Sequence, residues 1–398
     1  MSAKKSCRWC AAAPPSKSQP AKEVPMSIEF FWQLPTSGDG RSLRKEHWNR
    51  GDYTPPVTSR PVFARTDVRR GGYTWYDHLA QIARAAEITG FDGVSIPQTP
   101  AGEEPWVVSG ALAREARRLK FLPSLPAPFL SAVYSAKMAI SFQRLTGGRL
   151  AWNLITEEHT PKSWHGHRWS IAEQIARTGE FLDVVKGFWS NAPFTYQGRY
   201  YEVENGGFGP ALAGPELPLI YLSGETEEAL ALSARYADVH FLPLDSLEAT
   251  RGRIADLTRR AAAHGRALRF AIQADVVARH SGEDAWQDLR GRWDREIAKT
   301  VPISGAIDHS QGADKEGFDE LILGSNLWTG FGLVRPGAPA GIVGSYREVA
   351  DLIKQYIDAG VGTFALSANP HLEEAYRIGE QLLPLLRARP AQPLEQLS

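Results

Sequence analysis

The stretch YDHLAQIARAAEITGFDGVSIP, from Tyr76 to Pro97, holds the repeating unit of this chain. Leu79, Ile82, Ala83 and Ala86 recur at three- and four-residue intervals and make one apolar stripe of a helix. The stripe ends at Gly90, a residue that accepts the left-handed conformation with which helices close. Gly93–Pro97 then follows as a short, branched apolar run bounded by turn formers, which is how a strand covered on both faces reads.

The same alternation extends in both directions. Candidate strands are 28–34, 93–97, 119–125, 150–155, 217–222, 239–242, 270–278 and 363–367, and helical stripes run through 131–145, 174–189, 226–236, 247–264, 346–358 and 372–386. Eight buried strands interleaved with helices predict an α/β chain folded as a (β/α)8 TIM barrel. A doubly wound sheet is the competitor, but the first strand lacks the G-x-G-x-x-G turn that a dinucleotide fold wants. Three segments fall outside the repeat and read as insertions after strands 1, 4 and 7: residues 41–73, 191–216 with a hairpin turn at Gln197-Gly198, and 296–345.

Lysine plus arginine equals aspartate plus glutamate at 45 each, so nothing in the charge balance points to nucleic acid or an anionic membrane surface. No apolar run reaches the roughly 20 residues that a bilayer span requires. Cys7 and Cys10 are the only cysteines; a lone C-x-x-C has no second pair to complete a zinc site, and Pro14, Pro15 and Pro20 around it build no core. Residues 1–25 are therefore expected to be a disordered extension, with 26–390 a single barrel domain and 391–398 a flexible tail. A cysteine-free body suits the cytoplasm.

Barrel active sites are built where strands end. The side chains there are mostly neutral hydrogen-bonding groups: Ser37 and Asp39 after the first strand, Gln98 and Thr99 after the second, Asn153 and Thr156 at the fourth, Asn369 and His371 after the eighth. Such a set suits a cofactor that brings its own reactivity better than a nucleophile triad or a metal. His159, His165 and His167 share one loop and read as solvated rather than as a metal site. Ser223-Gly224-Glu225-Thr226 opens a helix directly after a strand, which makes either an ordinary N-cap or a phosphate cradle. Ser325–Arg335, rich in glycine and followed by Pro336, reads either as a loop carrying one permanent cation to the place where it folds over, or as a surface excursion whose arginine makes a salt bridge.

Five segments carry a family resemblance: Phe31–Gly40, Phe142–Arg149, Trp152–Thr156, Ser325–Arg335 and Pro370–Arg377. On these the chain resembles the bacterial-luciferase-like flavin-dependent monooxygenases, and among them most of all the alkanesulfonate monooxygenases. The resemblance implies the barrel, reduced FMN supplied by a separate NAD(P)H-dependent FMN reductase, O2 as co-substrate, and a homodimer or homotetramer. It implies that Asn153 and Thr156 contact the flavin, that Ser223, Gly224 and Thr226 hold its phosphate, and that Arg335 closes over the site. By their own positions near strand ends, Trp32 and Trp152 read either as pocket lining or as core.

The pocket itself departs from that pattern. Ser37 and Gly102 stand where the sulfonate enzymes have a histidine and a cysteine, Gln273 and Asp275 where they have an arginine and a histidine, and Asn369 where they have a tyrosine. An ionised Asp275 would repel an anion, so a small alkanesulfonate does not suit these residues. Flavin contacts of the family are replaced by Ile171 and Ile175, and Glu225 in the phosphate turn would have to point away. The expected function is a two-component FMNH2-dependent monooxygenase acting on a small organic compound, organosulfur or related, with Arg335 and Asp275 as its catalytic residues. An F420-dependent oxidoreductase and a non-catalytic flavin-binding protein are the alternatives.

Overall fold

The structure, a computed structural model, describes residues 28–39, 74–99, 102–157, 169–190, 193–209, 212, 214–296, 317–334 and 337–387. The two cysteines, the 41–73 insertion, His159, His165, His167 and Arg335 lie outside the described residues.

Among the described residues there are thirteen strands: β1 (Glu29–Gln33), β2 (Gly93–Ile96), β3 (Lys120–Pro126), β4 (Ala151–Ile155), β5 (Phe194–Gln197), β6 (Glu202–Gly206), β7 (Leu219–Leu222), β8 (Val239–Leu242), β9 (Arg269–Arg279), β10 (Ile322–Leu323), β11 (Leu327–Trp328), β12 (Gly341–Ser345) and β13 (Val361–Ser367). Eight of them pair in parallel in the order β1-β2-β3-β4-β7-β8-β9-β13, and β13 returns to β1, closing the barrel. The helices are α1 (Trp75–Thr89), α2 (Pro105–Leu112), α3 (Ala132–Thr146), α4 (Ile171–Ser190), α5 (Glu227–Tyr236), α6 (Leu247–Ala262), α7 (Gly282–Glu296), α8 (Phe331–Val334), α9 (Tyr346–Asp358), α10 (His371–Gln381) and α11 (Leu383–Arg387).

Local chemistry sets the boundaries. Thr74 and Asp77 form a capping box at the start of α1, and Gly90 closes it at φ 98° with its N–H on the Ala86 carbonyl. At Gly93 of β2 a Cβ would lie within 2.6 Å of both the Phe31 ring and the Lys120 carbonyl, so the glycine is what lets the inner ring fill the barrel. Strand alternation then sorts the core into two. Phe31, Leu122, Ala151, Tyr221 and Ala271 meet inside the barrel, while Phe30, Trp32, Val94, Trp152 and Phe364 face the helices.

Among the helices of eight residues or more, two escape the sequence pattern. α2 starts on Pro105 behind a Glu104 cap and is short, and α7 is largely polar along its length. The final stripe is two helices, α10 and α11, interrupted at Leu382. The 194–206 hairpin forms with a wider turn, Gln197 opposing Glu202 and the Gly198 N–H bonding the Tyr201 carbonyl at 2.9 Å.

The glycine-rich stretch differs most from a plain loop. β9 runs past the barrel, and its upper half pairs with β12, to which β11 and β10 add antiparallel. Trp328, Phe331 and Val334 are buried with Phe318, Leu289 and Val277 in a separate apolar cluster. The Trp328 indole N–H donates to the Phe318 carbonyl at 3.1 Å. The approach to Arg335 is thus an anchored ribbon with its own core. Strands of two residues are too short to carry a readable alternation.

Candidate active site

Period-two alternation places a polar layer above the apolar ring inside the barrel. Gln33, Ser95, Ser124 and Asn153 come from successive strands, and β9 and β13 add Gln273, Asp275 and Ser367. Gln273 Nε2 donates to Gln33 Oε1 at 2.6 Å, and Asn153 Nδ2 to Ser124 Oγ at 2.8 Å. Gln273 is exposed although it sits in mid-strand of a central barrel strand, so the barrel is open above it. Asp275 points the same way but is fully buried and accepts from Ser367 Oγ. Asn153 Oδ1 is buried with no hydrogen-bond partner among the described residues, an acceptor left for a ligand's N–H or O–H.

Trp32 does not belong to this wall, and neither does Trp152. Both have even-numbered positions on strands whose odd positions face inward, and both are fully buried against the helical layer. Trp32 packs on Phe91 and on the edge of His371, and Trp152 on Trp106 and Phe181. Their place is the outer core rather than the pocket.

Gly102 packs on Thr36, the residue before Ser37, at the rim between β1 and β2. Ser37 lies in the turn that Gly38 closes on the Pro35 carbonyl, and a Cβ on Gly102 would come within 2.9 Å of Thr36 Oγ1. Asn369 is buried beside a group that spacing could not reveal. Asp39 is fully buried and accepts from Asn369 Nδ2 at 2.9 Å, His371 Nδ1 at 2.7 Å, the His371 amide at 2.9 Å and His78 Nε2 at 2.9 Å. Burial pushes its carboxyl upward, but the charge and hydrogen bonds of His371 and His78 together hold it well below the ordinary 3.8. A carboxylate only accepts, so the Asn369 amide must turn its NH2 to Asp39 and its oxygen away. That oxygen is buried without a partner among the described residues. The cluster ties the loop after β1 to α1 and to the loop after β13.

Across the barrel, Thr156 Oγ1 donates to the Ser223 carbonyl at 3.3 Å, joining the ends of β4 and β7. Gly224 adopts φ 120°, and Thr226 caps α5 by accepting from the Ala229 N–H. Glu225 is exposed and pairs with Arg253 at 3.4 Å. Glu157, directly after Thr156, occupies the inner side: its Oε1 accepts from Thr226 Oγ1 at 3.0 Å and lies 2.8 Å from where a Gly224 Cβ would stand. On α4, Ile175 is buried in the outer core. Arg177 of the same helix stacks on Trp169 and Tyr201 at 4.6 and 4.4 Å and donates to the Pro128 carbonyl at 2.6 Å.

A cavity of about 580 Å³ opens at the opposite end, lined by Glu29, Lys120, Arg144 and Glu216 among others. It lies at the strand N-termini, the end of a barrel that serves stability rather than chemistry, so the polar layer and not this cavity is the candidate site.

A closed parallel barrel with neutral hydrogen-bonding groups at its mouth suits a cofactor that brings its own reactivity. Residues 61–363 match the model of the family described as luciferase-like monooxygenase. The chain belongs to that family and is an oxidoreductase of the monooxygenase type. Its fold is similar to that of a riboflavin lyase solved with modified FMN and riboflavin (15% identity, TM-score 0.67, 91% of each chain). It is likewise similar to a long-chain alkane monooxygenase (18%, 0.66, 91% of this chain and 92% of that one). An F420-dependent secondary alcohol dehydrogenase shares it too (13%, 0.64, 91% and 100%). Among the described residues no helix is long and apolar enough to cross a membrane.

The described residues fit a flavin unequally. The polar layer, with its unpartnered Asn153 oxygen, suits the hydrogen-bonding edge of a ring system. At the start of α5, the Glu157 carboxylate already accepts from the Thr226 hydroxyl, a group that a phosphate there would face.

Proposed function

We propose that the protein is a two-component monooxygenase that takes reduced FMN from an NAD(P)H-dependent reductase and uses O2 to oxidise a small, uncharged or donor-bearing organic compound. Its sequence kinship is with alkanesulfonate monooxygenases, but its pocket is not theirs. The observation that carries the reading is the inward layer Gln33, Asn153, Gln273 and Asp275, neutral amides beside one buried acid, at the mouth of a luciferase-family barrel.

Bound reduced flavin supplies the reactivity toward oxygen. The chain's part is to seat and shield it. Asn153 and Thr156 hold the ring and ribityl side, Ser223, Gly224 and Thr226 the far end, and Ser37, Gly102, Gln273 and Asn369 border the substrate. Asp275, held by Ser367, accepts a proton or hydrogen bond from the substrate, and Arg335 brings positive charge to the developing oxyanion when its segment closes.

Oxygen uptake with reductase-generated FMNH2, across a panel of neutral organosulfur compounds and short alkanesulfonates, tests the proposal. Substrate-dependent uptake on the neutral compounds is the expected result. Turnover with reduced F420, without oxygen uptake, would instead establish the hydride-transfer chemistry that the alcohol dehydrogenase neighbour makes a specific alternative.

A further inference from the structure

The carboxylate in the α5 cradle has a consequence for which flavin this barrel prefers. A helix N-terminus draws one anion through its free amides and dipole. Here four carboxylates crowd it. Glu225 is balanced by Arg253 at 3.4 Å and Glu227 by Arg260 at 2.7 Å, both from α6, while Glu228 is exposed. Glu157 approaches from the barrel side, on the β4 end that also supplies Thr156. Thr226 Oγ1 is committed in both directions, accepting from the Ala229 N–H and donating to Glu157 Oε1. Gly224 has no side chain to hold a ligand off, and the space above it is taken by the same oxygen.

We infer that Glu157 is an internal anion that competes with the flavin phosphate for the α5 N-terminus, so that this chain discriminates little between FMN and riboflavin. The inference rests on the flavin reading above. A phosphate dianion must displace a carboxylate hydrogen-bonded to the cap, or lie against it; a terminal ribityl hydroxyl can donate to that carboxylate where it stands. Flavin then passes through as a loosely held substrate, which suits delivery by a separate reductase.

The test is titration of the full chain with oxidised FMN and with riboflavin, followed by quenching of flavin fluorescence, in wild type, Glu157→Gln and Glu157→Ala. In wild type the two dissociation constants should agree within about threefold, and either substitution should tighten FMN by about 10- to 100-fold while moving riboflavin little. Glutamine keeps an acceptor for Thr226, so a cap defect in the alanine variant is separable from the charge effect. Wild-type preference for FMN above tenfold, or a ratio unchanged by both substitutions, overturns the inference and leaves the flavin reading intact. Failure of all three proteins to bind either flavin overturns the flavin reading itself.

Discussion

Asp39→Asn is the change at the barrel mouth whose cost the structure defines best. The wild-type carboxylate is fully buried and meets only donors: Asn369 Nδ2, the His371 amide, His371 Nδ1 and His78 Nε2, all at 2.7 to 2.9 Å at their shortest. Asparagine keeps the volume but replaces one acceptor oxygen with an NH2, which then faces a donor. Charge-assisted hydrogen bonds are worth about 1.5–3 kcal/mol each, and breaking a buried charged cluster such as this one costs about 3–5 kcal/mol. Spread over the unfolding entropy of a barrel this size, that is a fall in Tm of about 5 °C. Circular dichroism and tryptophan fluorescence in thermal and urea unfolding measure it.

The pH dependence gives a second, independent check. Because the folded carboxyl sits below its ordinary 3.8, its stabilisation is complete above that value and is lost as pH falls through and below it. The variant lacks this component, so the gap between the two proteins should shrink by about 1 kcal/mol between pH 6 and pH 3. Equal unfolding temperatures at neutral pH, or a gap that stays constant on acidification, would refute the assignment of Asp39 as an ionised acceptor.

Other expectations bear on the same architecture. His240 is buried against Ser233 Oγ at 2.9 Å, and burial lowers its pKa from 6.5 to about 4. The folded imidazole stays neutral where the unfolded one protonates, so up to about 3 kcal/mol of stability should drain away as pH falls from 6.5 towards 4, and His240→Gln should flatten that limb in urea midpoints. Trp32→Ala should cost about 3–5 kcal/mol in the same assay, whereas Gln273→Ala should leave stability within about 1 kcal/mol and change KM. A pocket role for Trp32 would reverse that pattern. Arg335→Ala should lower turnover by about a hundredfold or more in oxygen-uptake assays while sparing flavin binding, and retained turnover would end its assigned role.

The barrel was legible because its causes are local. Each of the eight candidate strands lies within two residues of an observed one at both ends, since branched residues in short runs between turn formers need no distant partner to be recognised. The same locality exposed the N-cap at Thr226 that opens α5. Alternation was less kind to aromatic residues. Trp32 stands one position from the inward Phe31 and Gln33, and nothing in its own neighbourhood says which parity faces the axis.

What the amino-acid sequence determined by itself is therefore the set of elements, their order, and the strand ends at which chemistry collects. Tertiary structure alone decided which polar groups share a wall. Asp39 and Asn369 are 330 positions apart and Glu157 and Thr226 are 69 apart, and they meet only because β13 closes on β1 and β4 pairs with β7. Strand order and register are global properties of a closed sheet, so the donors that fix Asp39 and the carboxylate that fills the cradle could not be read from spacing along the chain.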